Sequence, residues 1–126
     1  MSKKSKPAGI QWLKKVEEHD YPAAQSYLLL LYDKKQVKQF VSRLKAADVT
    51  QFKSKDIFRA SGLSLLGVSN SHVEKDSKKI RDGKALSPLL LVRDPLHGKV
   101  IIADGYHRLC AIYNFDEDAW IHCKIV

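Results

Sequence analysis

The sequence predicts one small domain of the mixed α+β (α/β) class, and three observations support that prediction. Its 126 residues, 44% hydrophobic and 29% charged, are typical of a single globular domain and exclude disordered, collagen-like and disulfide-scaffold chains. Apolar residues recur at helical spacing in residues 9–48. Short apolar runs of strand length then alternate with helical patterns in residues 49–126. This order indicates a small sheet with flanking helices.

The first part of the chain is predicted to be a tail followed by a helical region. Residues 1–8 are rich in Ser and Lys and are expected to be a disordered basic tail. In residues 9–48 we predict three short helices packed on the core. The first begins near Ile10, the second carries Pro22 in its first turn, and the third spans residues 34–46. The third is the clearest, because its apolar residues follow the i, i+3, i+4, i+7 pattern: Val37, Phe40, Val41 and Leu44.

The middle of the chain is predicted to contain one strand and two helices. A short strand over residues 49–53 precedes a helix over residues 55–60. A second helix, over residues 71–82, opens with a capping box in which Ser71 is the cap and Glu74 lies three residues on. Basic side chains cover the exposed face of that helix. We expect this face to be either a solvated surface or a contact for phosphate groups.

The last part of the chain carries the strongest strand signals. The apolar runs over residues 88–92 and 99–103 are separated by a loop with Pro and Gly, so they are predicted to form a hairpin. A helix is predicted over residues 106–113, immediately after the second of these strands. Alternating side chains over residues 119–126 predict a final strand.

The charge of the chain is unevenly distributed. The net charge is +8, and residues 1–84 hold 18 basic and 9 acidic side chains, whereas residues 85–126 hold 4 and 5. A basic surface attracts nucleic acid or another polyanion, and it equally serves solubility. The two cysteines do not form a disulfide framework, and the polar N-terminus is unlike a signal peptide. We therefore expect a cytoplasmic location and no membrane partner.

The junction between the second hairpin strand and the following helix is the candidate functional segment. Asp104 and Gly105 end the strand, and the helix begins at once. The first N–H groups of a helix lack partners and carry partial positive charge, which suits a phosphate group. His107 and Arg108 add side-chain donors in that first turn, and Arg suits phosphate oxygens in particular. The alternative is an ordinary turn whose His and Arg face solvent.

The residues of this junction resemble a known family. The segment Gly105-Tyr106-His107-Arg108-Leu109-Cys110-Ala111 fits the G-x-x-R-x-x-A signature of the ParB/sulfiredoxin superfamily, and Asp104 extends it to the D-G-x-H-R spelling of bacterial ParB-like proteins. The predicted order over residues 80–126 is similar to that of a ParB-like N-terminal domain, with Pro88 leading its strand. The resemblance covers residues 49–126 and leaves residues 9–48 as a helical addition.

The resemblance implies a nucleotide site. ParB holds CTP phosphates and sulfiredoxin holds ADP or ATP phosphates on the matching loop, so Gly105, Tyr106, His107 and Arg108 are candidate phosphate-binding residues, with Mg²⁺ accompanying the nucleotide. Pro88 and Lys55 are further candidates, because the matching segments border the nucleotide in ParB-like domains. Tyr106 stands where sulfiredoxin has its catalytic cysteine, so sulfiredoxin activity is not expected.

We therefore expect a ParB-like protein that binds a nucleotide or another phosphate ligand. Hydrolysis or phosphoryl transfer would use His107 or Asp104 for proton transfer or for Mg²⁺. Two alternatives stay open: a non-catalytic accessory protein that binds DNA or RNA through its basic helices, and an interaction module without a ligand. The sequence leaves undecided which nucleotide binds, whether a reaction occurs, and the oligomeric state.

Overall fold

The computed structural model describes residues 9–67 and 69–126. The predicted basic tail, residues 1–8, and Val68 lie outside the described residues. The described residues form five α-helices and a four-stranded mixed sheet, which confirms the predicted mixed α+β class. None of these helices is long and apolar enough to cross a membrane.

The helices and strands follow the predicted order from residue 20 onward. The helices are α1 (Asp20–Leu28), α2 (Lys34–Ala46), α3 (Ser54–Ser61), α4 (Ser71–Arg81) and α5 (Tyr106–Phe115). The strands are β1 (Thr50–Lys53), β2 (Leu89–Asp94), β3 (Lys99–Asp104) and β4 (Trp120–Ile125).

The sheet has the strand order β1-β4-β2-β3. The β2–β3 pair is an antiparallel hairpin, as predicted, with Arg93 opposite Val100. The central pair, β2 and β4, is parallel, and β1 pairs with β4 in antiparallel fashion. Because β2 is a central strand with helices over both faces, its residues Leu89 to Val92 are all buried. This accounts for the unbroken apolar run in the sequence.

Successive residues of β2 pack into two apolar cores on opposite faces of the sheet. Leu89 and Leu91 join Ile121 in a core with residues of α3, α4 and α5. Leu90 and Val92 belong to a second core with residues of α1 and α2. The N-terminal helices therefore cover one face of the sheet, and the helices that carry the candidate site cover the other.

The prediction of a helix beginning near Ile10 is wrong. This segment is extended instead, and it runs beside Leu86: the Leu13 N–H donates to the Leu86 carbonyl (2.8 Å), and the Leu86 N–H donates to the Gln11 carbonyl (2.9 Å). The Trp12 ring also stacks on His122 at 5.0 Å. A helix this short is marginal by itself, so hydrogen bonds to a distant segment decide its conformation.

The prediction of a capping box at the start of α4 is also wrong. The cap is Asn70, whose Oδ1 accepts hydrogen bonds from the N–H groups of His72 (3.0 Å) and Val73 (3.2 Å). Glu74 instead forms an ion pair with Arg81 at 2.8 Å. Asn and Ser are nearly equal as N-cap residues, so the sequence did not distinguish two adjacent candidates.

Candidate functional site

The β3–α5 junction has the backbone geometry that the sequence predicted. Gly105 has φ = +107°, and a Cβ atom at this position would lie 2.6 Å from Cγ of Leu89. Only glycine therefore fits between β3 and α5 at this point. The N-cap residue Gly105 has no side chain to cap α5, so the N–H groups of the first turn lack an intrahelical partner.

Arg108 does not present a free guanidinium at this junction. Its Nη2 lies 3.1 Å from Oδ2 of Asp104 and 3.5 Å from Oδ2 of Asp20. The side chain is only 16% exposed, and its Nε is buried without a hydrogen-bond partner among the described residues. The protein itself thus supplies two carboxylates to the arginine that the sequence assigned to phosphate binding.

Asp76 in α4 was not among the predicted site residues, and neither was Asp20, which contacts Arg108. Asp20 begins α1, is 3% exposed, and accepts a hydrogen bond from the Ser87 hydroxyl at 2.6 Å. The same hydroxyl accepts the Glu17 N–H at 3.0 Å. Through this network the N-terminal region, which the sequence placed outside the motif, contributes a charged residue to the junction. An Asp before Pro22 is an ordinary helix start, so no local signal marked it.

A small polar cleft opens between α4 and the start of α5, and we call it the α4–α5 cleft. Its volume is about 190 Å³. Arg108, Gly105 and Tyr106 form one side of it, and its ionisable lining residues are His72, Lys75, Asp76, Lys79, Asp104 and His107. The rings of His72 and His107 lie 4.8 Å apart, centroid to centroid. Basic groups of α4 thus face the uncapped end of α5.

Burial and mutual charge shift three pKa values in this cleft. Burial raises the pKa of Asp76, although Arg108, Lys79 and His107 oppose the shift. Burial likewise raises the pKa of Asp104 against the effect of Arg108. Burial, together with the neighbouring His72, lowers the pKa of His107. The His107 imidazole is therefore neutral at pH 7 and can accept a proton.

A larger and mostly apolar cleft adjoins the first, and we call it the α1–β3 cleft. Its volume is about 450 Å³, and Ala23, Tyr27, Leu63 and Ile102 contribute apolar surface to it. It shares the segment Asp104 to His107 with the α4–α5 cleft. The Tyr106 hydroxyl, which donates to the carbonyl of Ser64, fixes the loop after α3 beside both clefts.

Two of the predicted site residues lie away from both clefts. The Lys55 Nζ is 2.9 Å from Oδ1 of Asp118, and the Lys55 N–H donates to the carbonyl of Glu117. Both partners follow the C-terminal end of α5, whereas the candidate site is at its N-terminal end, about 15 Å away for a ten-residue helix. Pro88 is buried before β2 and lines neither cleft.

The two cysteines lie in the interior of the protein. Cys110 and Cys123 are free and buried, and burial raises the pKa of Cys123 to about 12. Among residues 9–67 and 69–126, no group of three or more His, Cys, Asp or Glu side chains is placed to hold a metal ion.

Comparison with protein-family models, with curated proteins and with solved structures gave no match to this chain.

Proposed function

We propose that this chain is a ParB/sulfiredoxin-like module that binds a phosphate-bearing ligand of the nucleotide class in the α4–α5 cleft. One observation carries the proposal: four basic side chains, His72, Lys75, Lys79 and His107, converge on the uncapped start of α5. Helix N-termini attract anions through their free N–H groups and their dipole, and lysines add full charges.

The size of the polar cleft favours a phosphate group rather than a whole nucleotide. A volume of about 190 Å³ accommodates one or two phosphoryl groups, and the neighbouring α1–β3 cleft of about 450 Å³ offers apolar surface for a ring. Because both clefts share residues 104–107, a single ligand can occupy both. CTP, ATP and ADP all have this combination of anionic and flat apolar parts.

Arg108 has an indirect role in this proposal. Its guanidinium compensates the carboxylates of Asp104 and Asp20, which would otherwise repel a phosphate at the start of α5. The direct contacts are then assigned to Lys75, Lys79 and the α5 N–H groups. This assignment modifies the prediction that Arg108 itself holds the phosphate.

Hydrolysis is the reaction that these groups would serve. The neutral imidazole of His107 can accept a proton from an attacking water. Asp104 and Asp76 are the carboxylates that would help to hold a Mg²⁺ ion brought in on the ligand phosphates, and the ion would neutralise charge on those phosphates. The cytoplasm is the proposed location, since two free buried thiols suit a reducing compartment.

A thermal-shift panel tests the proposal. CTP, ATP, ADP, GTP and inorganic phosphate are added with and without Mg²⁺, and a ligand that binds the native state raises the melting temperature. We expect at least one nucleotide to raise it, and the rise to disappear in Lys75→Ala/Lys79→Ala. Lys78→Ala is the matched control, because Lys78 lies on the same helix but pairs with Asp82 outside the cleft. No shift, or an equal shift in the double variant, contradicts the proposal.

A further inference from the structure

A second concave surface lies between α1 and α2, and it shares no residue with the two clefts of the candidate site. This α1–α2 groove has a volume of about 560 Å³. Its apolar floor consists of Leu29, Val37 and Val41, and its lysines are Lys34, Lys38 and Lys45. The groove is therefore a surface separate from the candidate site.

The turn beside the groove exposes an unusual amount of apolar surface. The exposed fractions are 42% for Leu29, which lines the groove, 79% for Leu30 and 49% for Leu31. The turn is well ordered, since the N–H groups of all three leucines donate to carbonyls of α1. Apolar side chains held on the surface by a hydrogen-bonded turn are typical of a contact surface for another molecule.

The charges along the groove all have one sign. Lys34, Lys38 and Lys45 lie at i, i+4 and i+11 on α2, and that helix contains no acidic residue. Asp33, just before it, is occupied as the N-cap and accepts the Gln36 N–H at 2.8 Å. Within the described part of the chain, no ion pair involves these three lysines, although Lys45 Nζ lies over the Tyr21 ring, 5.5 Å from its centroid. A partner that compensates them must be acidic.

We propose that the α1–α2 groove binds an acidic amphipathic helix of a partner protein. Its apolar side chains would pack on Leu29, Val37 and Val41, and its Asp and Glu side chains would face the lysines. Lys34 and Lys45 are eleven helical steps apart on α2, or about 16 Å, which corresponds to three turns of a bound helix. The apolar floor provides affinity, and the lysines orient the partner and exclude basic segments.

Other occupants fit the groove less well. A second copy of this chain offers the acidic run after α5, but its Asp118 is already paired with Lys55 at 2.9 Å. Single-stranded nucleic acid would need aromatic faces for its bases, and the residues that line the groove include no aromatic side chain. An anionic bilayer would meet the protruding Leu30 rather than the concave floor.

Selection from a peptide library tests the proposal. A displayed library of random 16-residue peptides is panned on the full chain and counter-selected on Lys34→Glu/Lys38→Glu. Both lysines are exposed, and Glu is favourable near the start of a helix, so this variant should fold. We expect enriched peptides with several Asp or Glu residues and apolar residues at i, i+3, i+4 and i+7. Enrichment of basic or neutral peptides, or of no common pattern, overturns the proposal.

Fluorescence anisotropy with the most enriched peptide then locates the site. We expect at least tenfold weaker binding to Lys34→Glu/Lys38→Glu and to Leu29→Gln. Binding should be unchanged in Lys14→Glu/Lys15→Glu, which reverses two exposed lysines outside the groove. Equal binding to all variants overturns the proposal. It is also overturned if sedimentation shows an oligomer that the groove variants dissociate, or if phosphatidylserine vesicles or single-stranded DNA bind through the groove and the peptide does not.

Discussion

The two basic regions of this molecule, the α4–α5 cleft and the α1–α2 groove, differ in how their charges are compensated. In the cleft, basic side chains lie beside the carboxylates of Asp76 and Asp104, and Arg108 also pairs with Asp20. In the groove, the lysines of α2 face no acidic side chain of the described chain. The cleft thus suits a small anion bound in a defined geometry, whereas the groove suits an extended acidic surface. Net charge alone, +8 for the chain, does not distinguish these two cases.

Removing Arg108 should have the largest effect on stability, because it removes the charge compensation inside the protein. We expect Arg108→Met to lower the free energy of unfolding by about 3 kcal/mol, since Asp20 and Asp104 would remain partly buried without their cation. Urea unfolding followed by circular dichroism measures the loss. Lys78→Met, which breaks an exposed pair with Asp82, should cost less than about 1 kcal/mol. Equal losses would show that the Arg108 pairs contribute no more than a surface ion pair.

The Arg108 network also shows where sequence reasoning reaches its limit. The hairpin, α5 and β4 could be predicted because their signals are local: apolar runs, turn formers and alternation. The Asp20–Arg108 pair joins residues 88 positions apart, and nothing near either residue indicates the other. The extended segment at Trp12 was missed for the same reason, because its hydrogen-bond partner is Leu86.

The candidate site was predicted in its backbone and only partly in its side chains. The local sequence pattern places Gly105 between a strand and a helix, and its positive φ fits the sharp turn expected there. The position of Lys55 depended instead on the end of α5 against which α3 packs. The structure places Lys55 beside Asp118, beyond the C-terminal end of that helix. The spacing of residues along the sequence does not predict against which end of α5 the helix α3 packs.

Charge reversals at the two ends of α2 test how the lysines of the groove affect the stability of the chain. Lys34 and Lys38 are a like-charged i, i+4 pair, and Lys34 also opposes the helix dipole at the first helical position. We expect Lys34→Glu to raise the free energy of unfolding by about 0.5 kcal/mol. Lys45→Glu is the matched control near the other end, and its loss of about 0.5 kcal/mol should have the opposite sign. Urea unfolding of both variants measures these changes. Lys45→Glu also removes the contact of Lys45 with the Tyr21 ring, so the decisive result is a loss in Lys34→Glu, which would mean that Lys34 has an intramolecular partner.

The smallest effect we predict is the pH dependence that His107 gives to the cleft. Its folded-state pKa is lowered below 6.5, mainly by burial, so just below pH 6.5 the unfolded chain binds more protons at this residue than the folded chain does. The contribution of His107 to stability is therefore fully present above pH 6.5 and is lost as the pH falls toward the lowered pKa. Asp76 and Asp104 have raised pKa values and act with the opposite sign, in the window just above 3.8.

Urea unfolding between pH 5 and 7 should show a free energy of unfolding that rises with pH, and the rise should be shallower in His107→Gln. The other titratable side chains are common to both proteins, so the difference between the curves reports His107 together with its interactions with His72 and Asp76. Identical slopes would contradict a His107 pKa that burial and His72 lower in the folded chain.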